Sequence, residues 1–134
     1  MDRPTMRKRL QHARVGRLAT VTPHGAPHVV PCCFAVDDET IYSAVDGKPK
    51  STLALRRLDN IRALPQASLV VDHYSDDWTE LWWVRVDGRA RVIESGDERD
   101  HALRLLAEKY EQYIRDPPPG PVIAIDITAW RAWP

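Results

Sequence analysis

Over residues 81–94 the side chains alternate. Trp82, Val84, Val86, Gly88, Ala90 and Val92 take one face; Arg85, Asp87, Arg89 and Arg91, with Trp83 beside them, take the other. A period of two held this long predicts a strand with one face on a core and the other toward water or a partner. Gly88 inside it predicts a bulge or bend, as at the corner of a barrel.

The rest of the chain divides by the same logic. Residues 5–15 read as a short helix capped by Thr5, with Met6, Leu10 and Ala13 on one side. Two β-like runs then surround Thr22-Pro23-His24-Gly25-Ala26-Pro27, whose turn chemistry predicts a hairpin. Asp37-Asp38-Glu39 makes a second turn into residues 40–45, so the first half reads as a three-strand meander. Ser51 is placed to cap a helix in which Ala54, Leu55, Leu58 and Ile61 share a face, and Pro65 stops it. Residues 67–74 read as a strand, followed by a Ser75-Asp76-Asp77 loop. Ser95-Gly96-Asp97 opens a further helix with Ala102, Leu105, Leu106 and Tyr110 at helical spacing; a proline-rich loop, 116–121, leads to a last strand over 122–133. The sum is about six strands, one helix near the middle and one before the last strand. A single domain over 1–134, mostly β with α, fits as an antiparallel β-barrel with flanking helices. Tight turns between the first strands exclude a doubly wound parallel sheet.

Composition narrows the partners. At 134 residues, 43% hydrophobic, the chain makes one domain with a modest core that a second subunit can complete. Nineteen basic residues balance nineteen acidic ones, which argues against a nucleic-acid binder. No apolar run approaches the roughly 20 residues that cross a bilayer, and the N-terminal stretch lacks a secretory apolar core, so no membrane partner is expected. The cysteines are the adjacent Cys32 and Cys33, with no zinc spacing, so a metal is not expected and a reducing, cytoplasmic setting is.

Few residues announce chemistry. The stretch Val45-Asp46-Gly47-Lys48-Pro49-Lys50-Ser51-Thr52 joins a strand to a helix start. Exposed amides and the helix dipole favour an anion there, two lysines add charge, and two hydroxyls add donors. The functional reading is a phosphate cradle; the bland one is a solvated, capped turn. His24, His28 and His73 show no metal or catalytic spacing, and His73 stands nearest the polar loop and the tryptophans. Trp82 reads as core, while Trp78 lies in the loop and can cover a pocket. The cysteines read as small buried apolar residues. With no nucleophile motif, dinucleotide fingerprint or acid–base pair, an enzyme of this sequence leaves the reaction to a cofactor.

The order RLATVTPHGAPHVVPCCFAVDDETIYSAVDGKPKS, then VRVDGRARVIE, then a closing strand ending near Trp133, resembles the pyridoxamine 5′-phosphate oxidase-like split β-barrel superfamily. It is most similar to the small actinobacterial oxidoreductases that use the deazaflavin coenzyme F420. The resemblance implies a six-stranded antiparallel split β-barrel, the FMN-binding type, forming a homodimer with the cofactor at the interface. It implies that Lys48 and Lys50 bind phosphate, with Ser51 and Thr52 beside them. Pro31, Cys32 and Cys33, with Tyr42, Ser43 and Ala44, would line the ring side, and His73, Tyr74 and Trp78 would reach in from the other subunit. The implied activity is hydride transfer between the deazaflavin and an electron-poor organic acceptor. The implied alternatives are an FMN-binding oxidoreductase of the same fold and a non-catalytic binder of F420, flavin or haem. The oxidases proper carry an Arg-Lys pair where this chain has Lys48-Pro49-Lys50, and a basic C-terminal substrate segment, so vitamin B6 oxidation is not expected.

Overall fold

A computed structural model of the protein describes residues 1–45 and 52–134; for 52–55 it describes the backbone alone. The first helix, α1, spans Arg3–His12. It begins two residues earlier than the pattern predicts, because Asp2 and not Thr5 is its cap: the Asp2 carboxylate accepts the Thr5 N–H at 2.9 Å. Pro4 suits that first turn, where an N–H has no partner inside the helix. The hairpin forms as expected from β1 (Gly16–Val21) and β2 (Pro27–Cys32), paired from Gly16↔Cys32 to Val21↔Pro27. Gly25, at φ 87°, takes the left-handed position in its turn.

The expected three-strand meander does not form. The chain leaves β2 at Cys32, and Phe34, fully buried, carries it across the molecule. A second hairpin, β3 (Ala35–Asp37) and β4 (Thr40–Ala44), then sits at the far end of the sheet. Further on come α2 (Thr52–Ala63), β5 (Gln66–His73), a single 3-10 turn (Trp78–Glu80), β6 (Trp82–Ile93), α3 (Asp97–Lys109), α4 (Glu111–Arg115) and β7 (Val122–Trp133). The strand order is β2-β1-β5-β6-β7-β4-β3, antiparallel where paired, so seven strands form one curled sheet where about six are predicted.

Burial explains the arrangement. β4 is buried on both faces, from Ile41 to Ala44, and so needs a central neighbour. β7 supplies it, since Val122, Ile123, Ala124 and Ile125 are also buried on both faces. Inside the curl, Leu18, Phe34, Ile41, Leu58, Ile61, Leu69, Val71, Val84, Val86, Ile123 and Ile125 form the main core. Outside it, Tyr42, Ala44, Val122 and Ala124 meet Ala102, Leu106, Tyr110 and Tyr113 of α3 and its surroundings in a second core. The curl needs the predicted bulge: pairing slips between Asp87 and Gly88, and a Cβ on Gly88 would overlap the Asp126 carbonyl oxygen. α2 lies over β1 and β6, held by Leu58, Ile61 and a buried Asn60 amide that donates to the Thr20 hydroxyl at 3.1 Å. Among the described residues, no helix is long and apolar enough to cross a membrane.

Candidate functional site

The end of β2 is where buried polar chemistry gathers. Cys32 points into the core, and Cys33 is half-buried on the opposite side. The Ser43 hydroxyl of β4 donates to the Cys33 carbonyl at 2.8 Å, tying β4 to the chain where β2 ends. From the last turn of α3, the Lys109 ammonium donates to the Phe34 carbonyl at 2.9 Å and lies 3.9 Å from the centre of the Phe34 ring. The Tyr110 hydroxyl accepts the Phe34 N–H at 3.1 Å and shares its own proton between the carbonyls of Phe34 and Arg14. The Arg14 guanidinium sits 4.7 Å over the Tyr110 ring.

This corner holds cations without carboxylates. Burial, and then the Arg14 charge, pull the Lys109 ammonium down to about 8. Arg57 of α2 keeps a buried Nε with no hydrogen-bond partner, and neither Arg57 nor Lys109 makes an ion pair among the described residues. Burial pushes the Cys32 thiol up, while the Ser43 hydroxyl and the charges of Arg57 and Lys109 oppose it. Burial likewise pushes Tyr110 up to about 12, so it remains a donor.

The residues expected at a cofactor fall into separate groups. Pro31 is exposed near the end of the edge strand β2. Cys32, Cys33 and Ser43 meet in the corner just described. Tyr42 and Ala44 lie on the other face of β4, in the core under α3, and the Tyr42 hydroxyl donates to Glu98 at 2.9 Å. Burial, with that carboxylate beside it, raises Tyr42 to about 12. Lys48, Lys50 and Ser51 lie outside the described residues, and Thr52 opens α2. His73 ends β5 and stacks on Trp82, ring centres 6.1 Å apart. Tyr74 and Trp78 are the most exposed large hydrophobic residues described, at 68% and 70%, with the Tyr74 hydroxyl donating to Asp76. Within one chain, no described contact brings His73, Tyr74 or Trp78 to Cys32 and Cys33. Sequence reasoning missed Lys109 and Arg57. Lys109 ends a helix, an ordinary place for a lysine, and only its approach to Phe34 singles it out.

A cavity of about 720 Å³ opens between α1 and the adjacent ends of β1, β5 and β6. Pro4, Ala13, Val15 and Trp82 give it apolar walls; Lys8, Arg9, His12, Arg14, Arg17 and His73 give it basic ones. Arg14 thus joins this cavity to the Lys109 corner. Among the described residues, no group of three His, Cys, Asp or Glu side chains is placed to hold a metal ion.

A curled antiparallel sheet of seven strands with flanking helices is the split-barrel fold. The chain matches the model of the pyridoxamine 5′-phosphate oxidase family over residues 3–134, and it belongs to that family. The conserved hypothetical protein Rv2991 of Mycobacterium tuberculosis superposes with a TM-score of 0.80 at 21% identity, covering 99% of this chain and 84% of that one. A haem-binding protein of Mycobacterium smegmatis gives 0.76 at 20%, covering 96% and 52%. HutZ, the haem storage protein of Vibrio cholerae, gives 0.74 at 16%, covering 98% and 92%. At these identities the likeness is one of fold. No curated protein matches the chain significantly.

Proposed function

We propose that this protein is an oxidoreductase that uses coenzyme F420 to exchange a hydride with an electron-poor organic acceptor. The observation that carries this reading is the corner at the end of β2, where the described residues leave Arg57 and Lys109 without carboxylate partners beside Cys32. A buried cation without a counter-charge is costly, and an anionic ligand removes that cost. F420 carries a phosphodiester and carboxylates, so its charge suits the place. When bound, the deazaflavin supplies the hydride. Arg57 and Lys109 hold its anionic side, with Lys48, Lys50, Ser51 and Thr52 completing the grip. Cys33, with the Ser43 hydroxyl fixing its carbonyl and Cys32 packed in the core behind it, gives the ring a firm, largely dry floor, which fixes orientation.

The site is shared between two copies of the chain. The outer face of the β2-β1-β5 sheet presents Pro31 and Val29 beside Arg17 and Ala19, and Val29 is 61% exposed. A second copy packed on that face brings its own His73, Tyr74 and Trp78 to the corner that lacks them. Sedimentation velocity of the protein is expected to give a dimer; a monomer at assay concentration removes this part of the reading.

The central test is a fluorescence titration of the cofactor-free protein with F420 and, separately, with FMN. Tight F420 binding with weak FMN binding is expected. Lys50→Ala is expected to weaken F420 binding by about ten- to a hundredfold, the loss of a charge-assisted contact. FMN binding without F420 binding would transfer the reading to a flavin enzyme of the same fold. A second reading, non-catalytic haem binding, is favoured by the similarity to HutZ and to the mycobacterial haem-binding protein. It predicts a Soret band on haem titration and no turnover with F420.

A further inference from the structure

We infer that the cavity under α1, which adjoins the cofactor corner at Arg14, is a second ligand site and takes a ring-bearing organic carboxylate. The inference stands whether or not F420 is the cofactor. Its volume, about 720 Å³, lies within the roughly 300–1,000 Å³ of small-molecule pockets. Its charge is one-sided in a chain that is neutral overall. Four permanent cations, Lys8, Arg9, Arg14 and Arg17, face one carboxylate, Asp72, and Arg17 occupies that carboxylate at 3.2 Å.

Several arginines elsewhere are neutralised by carboxylates. Arg7 meets Glu39, Arg62 meets Glu94, Arg85 meets Asp87, and Arg91 meets Glu98 and Asp126. At the cavity, Lys8, Arg9 and Arg14 have no acidic partner among the described residues. Two of these cations are held against ring faces instead: Arg9 lies 4.8 Å over Trp82, and Arg14 4.7 Å over Tyr110. Stacking orients a guanidinium while leaving edge N–H donors for an anion, the geometry that receives a carboxylate side-on, although one Arg9 nitrogen donates to the Met1 sulfur at 3.7 Å. The Trp82 ring, with Ala13, Val15 and Pro4, supplies an apolar wall for a flat body. Bare inorganic phosphate would use the cations and leave that wall empty.

The experiment uses 1-naphthoate as the probe in calorimetric titration of the cofactor-free protein. One site per chain is expected, weakened by salt. The methyl ester and inorganic phosphate are each expected to bind at least about tenfold more weakly, since each lacks one of the two recognition elements. Lys8→Glu, on the exposed face of α1, is expected to weaken naphthoate about tenfold with the thermal midpoint unchanged; Trp82→Leu tests the apolar wall, with the same direction expected. Absence of naphthoate binding, equal binding of the ester or of phosphate, or indifference to both substitutions overturns the inference. Displacement of naphthoate by F420 also overturns it, because the two sites are then one. Naphthoate binding without F420 binding leaves this site standing and removes the proposed function; the reverse does the opposite.

Discussion

The two ends of α3 handle charge in opposite ways. At its start, Glu98 receives both terminal nitrogens of Arg91 at 2.9 Å and the Tyr42 hydroxyl at 2.9 Å, while Arg91 also forks to Asp126. Nearby, His101 and Asp37 meet at 2.6 Å. Glu98, Arg91 and Asp126 partner one another, and the group ties α3 to β4, β6 and β7. At the other end, Lys109 lies half-buried with a backbone carbonyl and a ring face for company. A matched network holds the fold and leaves nothing for a ligand. An unmatched cation weakens the fold slightly and is available to an anion.

Glu98→Ala is the most severe way to break the matched end. It strands Arg91 and the Tyr42 hydroxyl, and a stability loss of roughly 1–2 kcal/mol is expected, at the low end because the group is partly exposed. Chemical denaturation measures it, and F420 affinity should not move. The same network has an acid limit. Arg91's hydrogen bonds, opposed by some burial and aided by Tyr42, hold Glu98 down to about 2 from an ordinary 4.5. A depressed carboxylate stabilises above its unfolded value and loses that contribution as pH falls through its folded one. The denaturant midpoint should therefore drop between about pH 4.5 and 2, and less so in Glu98→Gln.

Lys109→Met probes the unmatched end and should reverse the pattern. F420 binding is expected to weaken about tenfold, or ~1.4 kcal/mol, while stability at neutral pH does not fall, because the stem still fills its place and the half-buried charge is gone. Its pH dependence sharpens the contrast. With Lys109 at about 8 in the folded chain against an ordinary 10.5, the protonated amine disfavours folding below about 8, and that penalty fades between about 8 and 10.5. Anion binding runs the other way: F420 affinity should fall as pH rises through about 8 in the parent protein and stay flat across that window in Lys109→Met. The smallest effect belongs to the exposed Arg17–Asp72 pair, about half-exposed on both sides. Asp72→Asn should cost less than about 0.5 kcal/mol of stability, yet tighten naphthoate binding under α1 by freeing Arg17. Unchanged or weaker binding would show that Arg17 does not face the cavity.

Much of the fold was legible in the chain. The alternation through β6, the Gly88 bulge, the hairpin around Gly25 and the extent of β7 were all readable, because each is set by neighbours in sequence. The meander was not. Nothing local marks Cys33 and Phe34 as a crossing point; what moves β3 and β4 to the far edge is the demand of a doubly buried β4 for a doubly buried β7, some 80 residues away. The site divided similarly. Cys32, Cys33 and Ser43 were named in advance and stand together, whereas Tyr42 and Ala44 face the second core. The lysine-rich turn lies outside the described residues. Lys109, Arg57 and the cavity under α1 carried no signal, since a helix lysine or arginine reads as solvated until its surroundings are known.

The amino-acid order alone therefore determined which segments become strands and helices, since local periodicity, turn residues and caps act over a few positions. Tertiary structure decided which strands pair and which charges go unmatched. Both depend on burial, and burial is a property of elements brought together from distant parts of the chain.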